Sequence, residues 1–142
     1  FIAKRFGMFF HYDSTYDLLS HARAGVITSG TATLETALFN VPQVVVYRSS
    51  SRISVMIARM VIKVKFISLV NLIAGREVVK ELIQEHLTPA SLREELEKIW
   101  FDERNRDRTF RVYEEIRSLL GNEPVSERAA ALMYDYLNKK KD

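Results

Sequence analysis

The chain has 142 residues, of which 47% are hydrophobic and 27% are charged, which is the usual range for one globular domain. It has no cysteine, which excludes disulfides and thiolate metal sites, and its histidines, His11, His21 and His86, are too scattered to form a metal-binding cluster. The net charge is +3, and the basic excess lies in residues 1–65, which contain eight Lys and Arg against three Asp and Glu. This distribution favours a local surface that binds phosphate or anionic lipid over a nucleic-acid-binding protein.

The first residues predict a strand followed by a short helix. The apolar run at residues 7–12 is typical of a strand, and Asp13-Ser-Thr supplies a turn and an N-cap for a helix at residues 16–24. The sequence begins with Phe1 rather than Met, and its opening has no cleavable signal architecture. We therefore expect it to be part of a longer protein.

A buried strand, a Ser-Gly-Thr turn and a helix follow in direct succession. Val26 and Ile27 predict the strand, and the helix extends from Thr31 to about Asn40. Gln43–Tyr47 is a third strand, with the continuous apolar run of a parallel sheet that is covered on both faces. This alternation predicts an α/β fold with a partial doubly wound parallel sheet, whose ligand site lies at the carboxyl ends of the strands.

The helix start at Ser29-Gly30-Thr31 is a candidate anion site. The first N–H groups of a helix have no internal partner and carry its positive dipole end, so phosphate oxygens can bind there. Gly30 permits close approach, and Glu35 could accept hydrogen bonds from two sugar hydroxyls, which suggests a sugar nucleotide. The alternative is an ordinary N-cap at Ser29 or Thr31, with Glu35 favouring the helix dipole. Arg48 falls at the end of the next strand.

Residues 50–64 predict an amphipathic basic helix. Apolar residues recur at helical spacing, and Arg52, Arg59 and Lys63 share the opposite stripe. Basic residues interrupt the run of about 20 apolar residues that a membrane span requires. Two interpretations stay open: a surface helix with its apolar face on the sheet, or contact of the basic stripe with an anionic membrane surface.

The remainder of the chain is predicted to be mainly helical. A short strand is expected at 66–69 and a loop at 70–75, followed by helices at about 77–86, 89–101, 106–120 and 123–138. Asn71, Gly75, Arg76 and Glu77 form a second helix entry, at which Arg76 could bind a phosphate or carboxylate. The alternative is a polar turn held by an Arg/Glu pair. We divide the chain into a partial Rossmann-like nucleotide-sugar-binding region at 1–75 and a helical C-terminal segment of the same domain at 76–142.

Two segments together carry a family resemblance. The first is Ser-Gly-Thr-Ala-Thr-Leu-Glu at 29–35 with Val-Val-Val-Tyr-Arg at 44–48; the second is Ile-Ser-Leu-Val-Asn-Leu-Ile-Ala-Gly-Arg-Glu at 67–77 with Val-Lys-Glu-Leu at 79–82. In order and spacing they resemble the C-terminal part of bacterial lipid-A-disaccharide synthase. The Asn-Leu-Ile-Ala-Gly-Arg-Glu block is the more specific, since Ser-Gly-Thr with a helical Glu occurs across many sugar-nucleotide transferases.

The resemblance implies an inverting glycosyltransferase of the two-Rossmann-domain type. Such an enzyme would be cytoplasmic in Gram-negative bacteria and peripheral to the inner membrane. It would join UDP-2,3-diacylglucosamine to 2,3-diacylglucosamine 1-phosphate, giving lipid A disaccharide and UDP. This chain resembles most of the nucleotide-binding half. The residues implied in its UDP-sugar donor site are Ser29, Gly30, Thr31, Glu35, Arg48, Asn71, Gly75 and Arg76.

Within that donor site, the resemblance implies diphosphate at Ser29-Gly30-Thr31, ribose hydroxyls at Glu35 and a phosphate oxygen or adjacent carboxylate at Arg48. An inverting transfer also needs a general base, which the N-terminal acceptor domain would supply. We therefore expect no catalytic residue in this chain, and no cluster in the sequence suggests a cofactor or a metal. By itself it is expected to be inactive and to bind UDP weakly or undetectably.

Two other functions stay open. One is a non-catalytic homodimerising or membrane-surface module. Without a partner domain the last helix would expose apolar surface at Leu132, Met133, Tyr136 and Leu137. A homodimer, with or without exchange of elements between the copies, would cover it. The other is a fragment of another UDP-sugar transferase or of a 2-epimerase, against which the block at 71–77 argues.

Overall fold

The computed structural model describes residues 7, 12–28, 30–48, 65–121 and 125–139. Strands and helices alternate at first and helices follow, in the order α1 (Thr15–His21), β1 (Gly25–Thr28), α2 (Thr31–Leu38), β2 (Gln43–Tyr47), α3 (Leu69–Ala74), β3 (Lys80–Ile83), a 3₁₀ turn (Gln84–His86), α4 (Pro89–Phe101), α5 (Glu103–Leu120) and α6 (Val125–Lys139). The α/β class, with a partial Rossmann-like sheet and a helical C-terminal part, is confirmed.

The sheet has the order β1-β2-β3, and both pairs of strands are parallel. Gly25 lies opposite Gln43, and Val45 lies opposite Glu81. All three strands therefore begin at one edge of the sheet, here called the amino edge, and end at the other, the carboxyl edge. Because consecutive strands are parallel, the chain must return to the amino edge between them, and α2 makes that return between β1 and β2.

Both faces of β2 are buried, as the continuous apolar run predicts. Val44 and Val45 have no exposed surface, and they point to opposite faces because side chains alternate along a strand. Val44 packs with Leu82 and with Ile99 of α4, whereas Val45 packs in a second cluster with Tyr113 of α5. Burial raises the pKa of Tyr113 well above its usual value, against the effect of a hydrogen bond from Gln43, so its hydroxyl stays neutral.

The helix predicted at 77–86 is wrong. Lys80–Ile83 instead forms β3, which pairs with β2 and places Leu82 in the core. The strand therefore lies beyond residue 75, where we divided the chain. Within β3 Leu82 is buried, whereas Lys80, at the first position of the strand, remains exposed.

The strand predicted at 66–69 and the loop predicted at 70–75 are also wrong, because α3 occupies Leu69–Ala74. The hydroxyl of Ser68 caps its start by accepting from the Asn71 backbone N–H at 3.3 Å. Gly75 ends it in the left-handed conformation, with φ 65° and ψ 9°. A cap at each end stabilises this short helix, although its sequence lacks a long periodic pattern.

The remaining helices agree with the sequence except at their ends. Pro89–Phe101 is helical as predicted, and a capping box between Thr88 and Ser91 fixes its start. Helix α5 begins at residue 103 instead of 106 because Asp102 accepts from the Asn105 N–H at 3.0 Å. The strand expected at 7–12, apart from its end residues, and the helix expected at 50–64, with Arg52, Arg59 and Lys63, lie outside the described residues. No helix in the described ranges is long and apolar enough to cross a bilayer.

Candidate functional site

The start of α2 lies at the carboxyl edge of the sheet, directly after β1. Gly30 is its N-cap residue, with φ 112° and ψ −156°, a conformation that is essentially restricted to glycine. A Cβ added to Gly30 would meet no heavy atom of the described residues within 4 Å, so as far as they extend the space in front of this backbone is open. Ser29, which precedes it, lies outside the described residues.

No side chain in the described part of the chain caps α2. Thr33 turns its hydroxyl back into the helix and donates to the Gly30 carbonyl at 2.9 Å, while Thr31 is exposed. The first turn also contains no acidic residue. The Thr33 N–H also donates to the Gly30 carbonyl, at 3.2 Å. Within the described residues, the backbone N–H groups of Thr31 and Ala32 are therefore open to an anion, with no carboxylate in that turn to compete.

Glu35 lies one turn further along α2, where it is half-buried. It lines a cleft of about 480 Å³ with residues from the start of α1, namely Asp13, Ser14, Thr15, Tyr16 and Asp17. The Tyr16 ring stacks on Phe39 at a centroid distance of 5.4 Å. Among the described residues this lining offers carboxylate and hydroxyl groups but no basic side chain, so it suits neutral hydroxyl donors better than phosphate.

Arg48 is exposed and follows β2, the strand next to β1, at the same carboxyl edge. The structure thus brings Gly30, Thr31 and Arg48 to one edge of the sheet, with Glu35 one turn away. In the described ranges no group of three or more His, Cys, Asp and Glu side chains is arranged to hold a metal ion.

Asn71 is completely buried in α3, and all its side-chain hydrogen bonds go to protein groups. Its Oδ1 accepts from the backbone N–H groups of Val78 and Val79, at 2.7 and 3.0 Å. Its Nδ2 donates to the Val79 carbonyl at 2.8 Å and to Glu81 Oε1 at 2.9 Å. The amide therefore joins α3 to the segment that leads into β3.

Glu81 continues this network from the neighbouring strand. Its carboxylate accepts from the backbone N–H groups of Ile67 and Ser68, both at 3.0 Å, and from the Ser68 hydroxyl at 2.7 Å. A carboxylate at the start of a helix is favoured by the helix dipole, and this one comes from β3. Ser68, Asn71 and Glu81 together fix the position of α3.

Gly75 and Arg76 lie at the opposite edge of the sheet from Thr31. Arg76 Nη2 donates to Glu115 Oε2 of α5 at 2.8 Å, and both side chains are more than half exposed. Two residues further along α5, Arg117 donates to the carbonyl of Leu38, the last residue of α2. Glu115 and Arg117 are close along α5, so Arg76 lies at the level of the end of α2, whereas Thr31 is at the start of that helix. The turn is held by ion pairs, including Glu77 with Lys80 at 3.0 Å.

Comparison with known proteins assigns the chain to a family. The model of the lipid-A-disaccharide synthetase family matches residues 2–134, nearly the whole sequence. The chain belongs to this family. Three relatives named lipid-A-disaccharide synthase are similar: from Myxococcus xanthus (39% identical over 85% of this chain and 31% of the relative), Gloeothece citriformis (41%, over 85% and 32%) and Syntrophus aciditrophicus (39%, over 89% and 33%). The chain thus spans about a third of their length.

In this member of the lipid-A-disaccharide synthetase family, sequence reasoning overlooked Ser68 and Glu81. Glu81 stands between Lys80 and Leu82 in a segment interpreted as a helix, where it had the signature of an exposed residue. A charged side chain that is half-buried in a short strand indicates a structural role, but this signal can be read only after the strand itself has been recognised. The family block at 67–82 contains all three residues of the network.

Proposed function

We propose that this chain forms the donor-binding part of a lipid-A-disaccharide synthase. The whole enzyme would transfer the sugar of UDP-2,3-diacylglucosamine to 2,3-diacylglucosamine 1-phosphate, giving the lipid A disaccharide and UDP. The observation that carries the proposal is the open start of α2 at the carboxyl edge, in a chain of this family. Ligands of doubly wound sheets bind at that edge.

The donor would bind with its diphosphate against Ser29, Gly30 and Thr31. The amides of a helix start and the guanidinium of Arg48 stabilise the negative charge that develops on the leaving UDP. The ribose would lie one turn along α2, where Glu35 accepts hydrogen bonds from its hydroxyl groups. The acidic lining of that cleft keeps the diphosphate at the helix start, because like charges repel.

For the second group of predicted donor residues we propose a positioning role. Asn71 has no side-chain hydrogen-bonding capacity left for a ligand, and it would act by holding α3 beside α2. Gly75 allows the chain to leave α3, and Arg76 holds the following turn to α5. The general base would come from another part of the longer enzyme, so this chain alone catalyses no transfer.

We further propose that the enzyme works in the cytoplasm, at the surface of the inner membrane. The basic stripe of Arg52, Arg59 and Lys63 supports contact with anionic lipid, because clustered cations near a membrane surface each add about 1 kcal/mol. This is the membrane on which an acylated acceptor would be presented.

Titration with UDP tests the donor site. We expect weak binding, with a dissociation constant of about 1 mM or higher, because half of the site belongs to other parts of the enzyme. Amide chemical shifts in NMR spectra detect binding of this strength, and the largest changes should occur at residues 30–35 and at Arg48. Changes confined to other regions would contradict the assignment.

The variant Glu35→Ala separates ligand contact from helix stability. It should abolish the difference in affinity between UDP and a pyrophosphate of the same charge, while the melting temperature stays within a few degrees of the parent. Asp107→Ala, an exposed acidic residue of α5, is the matched control and should leave UDP binding unchanged. Equal loss in both variants would remove Glu35 from the proposed site.

We also propose that the chain forms a homodimer, with α6 in the interface. Its apolar residues Leu132, Met133, Tyr136 and Leu137 are each 64–68% exposed, which an isolated monomer would not favour. Light scattering after size-exclusion chromatography should give twice the mass of one chain at micromolar concentration. Met133→Glu should shift the mass to that of a monomer, whereas Leu119→Glu on α5 should not. A monomeric parent chain would contradict the proposal.

A further inference from the structure

We propose that the cleft beside Arg76, at the amino edge of the sheet, is a second anion site that binds a phosphate group. The cleft has a volume of about 420 Å³. Arg76 and Glu77 line it from the turn after α3, and Arg108, Arg111 and Glu115 line it from α5. It lies at the opposite edge from the start of α2, so it is separate from the proposed donor site and does not depend on it.

Most of the N–H donors of these arginines make no hydrogen bond to a described residue. A guanidinium carries a planar fork of several N–H groups. Arg76 uses Nη2 for Glu115, and Arg108 uses Nη2 for Asn105 Oδ1 at 3.2 Å. Arg111 makes no hydrogen bond or ion pair to any described residue, although Asp107 lies one turn before it on α5.

The charge of the cleft is unbalanced. Its two carboxylates already have cationic partners: Glu115 pairs with Arg76, and Glu77 pairs with Lys80 at 3.0 Å. Arg108 and Arg111 have no carboxylate partner in the part of the chain that the structure describes. A concave surface with excess charge of one sign concentrates counter-ions.

The basic side chains of α4 show the contrasting arrangement. There Arg93 pairs with Glu97 at 2.8 Å, and Lys98 pairs with both Glu94 and Glu95 at 2.8 Å. These cations are neutralised along their own helix, as is usual on a solvated face. The α5 arginines that line the cleft are not, and they converge with Arg76 from another element.

Phosphate is the anion that fits best. Guanidinium forks match phosphate oxygens in pairs and are less strongly hydrated than ammonium groups. Three guanidiniums around one cleft can share the three terminal oxygens of a phosphate monoester. Such a group could belong to a lipid headgroup or to a soluble molecule, and the same cleft chemistry would recognise both.

Two measurements on the 142-residue chain test the site. Inorganic phosphate is titrated while the arginine Nε–Hε resonances are followed by NMR, and sedimentation is compared with phosphatidylcholine vesicles that contain or lack phosphatidic acid. We expect shifts at Arg108 and Arg111. The double variant Arg108→Gln/Arg111→Gln should bind phosphate at least about tenfold more weakly, because two of the three guanidiniums are lost. Both side chains are exposed, so the variant should fold.

The matched control is Arg93→Gln/Lys98→Gln, which removes the same charge from α4. Phosphate binding that persists in this control and falls in the α5 variant supports the site. If the chain binds inorganic phosphate but does not sediment with vesicles, the ligand is a soluble molecule. If it sediments only with vesicles that contain phosphatidic acid, the ligand is a lipid headgroup. Equal loss in both double variants, shifts confined to residues 30–35, or no binding in either assay would overturn the proposal. None of these outcomes depends on UDP, so failure of the donor site is a separate result.

Discussion

Replacing Asn71 by alanine is expected to lower the free energy of unfolding by about 3 kcal/mol, because it leaves several buried polar groups without partners, each costing about 1–3 kcal/mol. The substitution removes acceptors from the N–H groups of Val78 and Val79 and a donor from the Val79 carbonyl. Chemical denaturation measures the loss as a fall in the midpoint at constant slope.

The same experiment distinguishes a bracing residue from a ligand contact. Asn138→Ala, an exposed asparagine of α6, is the control and should change stability by less than about 0.5 kcal/mol. Because Asn71 and Glu81 share a hydrogen bond, Asn71→Ala and Glu81→Ala should destabilise less together than the sum of their separate effects. A stable Asn71→Ala variant would instead favour direct contact with the donor.

Replacing Gly30 by alanine is expected to have the second largest effect. The new Cβ would meet no described residue within 4 Å. The cost therefore comes from the backbone, at about 2 kcal/mol for a residue held in so sparsely populated a region. The helix start can relieve this strain by changing the direction of its first N–H groups. We therefore expect the UDP-dependent shifts at residues 31–35 to disappear as well, measured by the same NMR titration.

Gly75 provides the control for this effect. It also has a positive φ, but its conformation is the left-handed one that asparagine tolerates. Gly75→Asn should therefore be nearly neutral, whereas Gly30→Asn should be as harmful as Gly30→Ala. If Gly30→Ala retained both its stability and the UDP-dependent shifts, the glycine conformation would not be required for UDP binding at this helix start.

Elements with strong local signals could be predicted from the sequence. Gln43–Tyr47 is a strand because its five residues are buried or half-buried in the centre of a parallel sheet, and a continuous apolar run records this. Helix α4 has the predicted bounds, and its start is fixed by the local signal of Thr88 and Pro89. In these segments local preference and tertiary packing agree.

The errors between residues 66 and 86 have a common physical cause. Lys80–Ile83 contains charged residues that are frequent in helices, and pairing with β2 overrides that preference. Helix α3 is only six residues long, so its caps and the carboxylate of Glu81 stabilise it, and Glu81 is ten residues from Asn71 in the chain. Local sequence patterns do not record contacts between residues that are distant along the chain.

By itself the sequence determined the α/β class, the glycine helix start after β1 and the resemblance that the family match confirmed, since each is recorded in contiguous residues. Only the tertiary structure decided that the two segments of the resemblance lie at different places in the fold. It places Arg48 at the carboxyl edge with Gly30, buries Asn71 inside a bracing network and puts Arg76 at the amino edge. The reason is geometric: whether residues meet depends on the direction in which each strand and helix crosses the sheet, which sequence spacing does not specify.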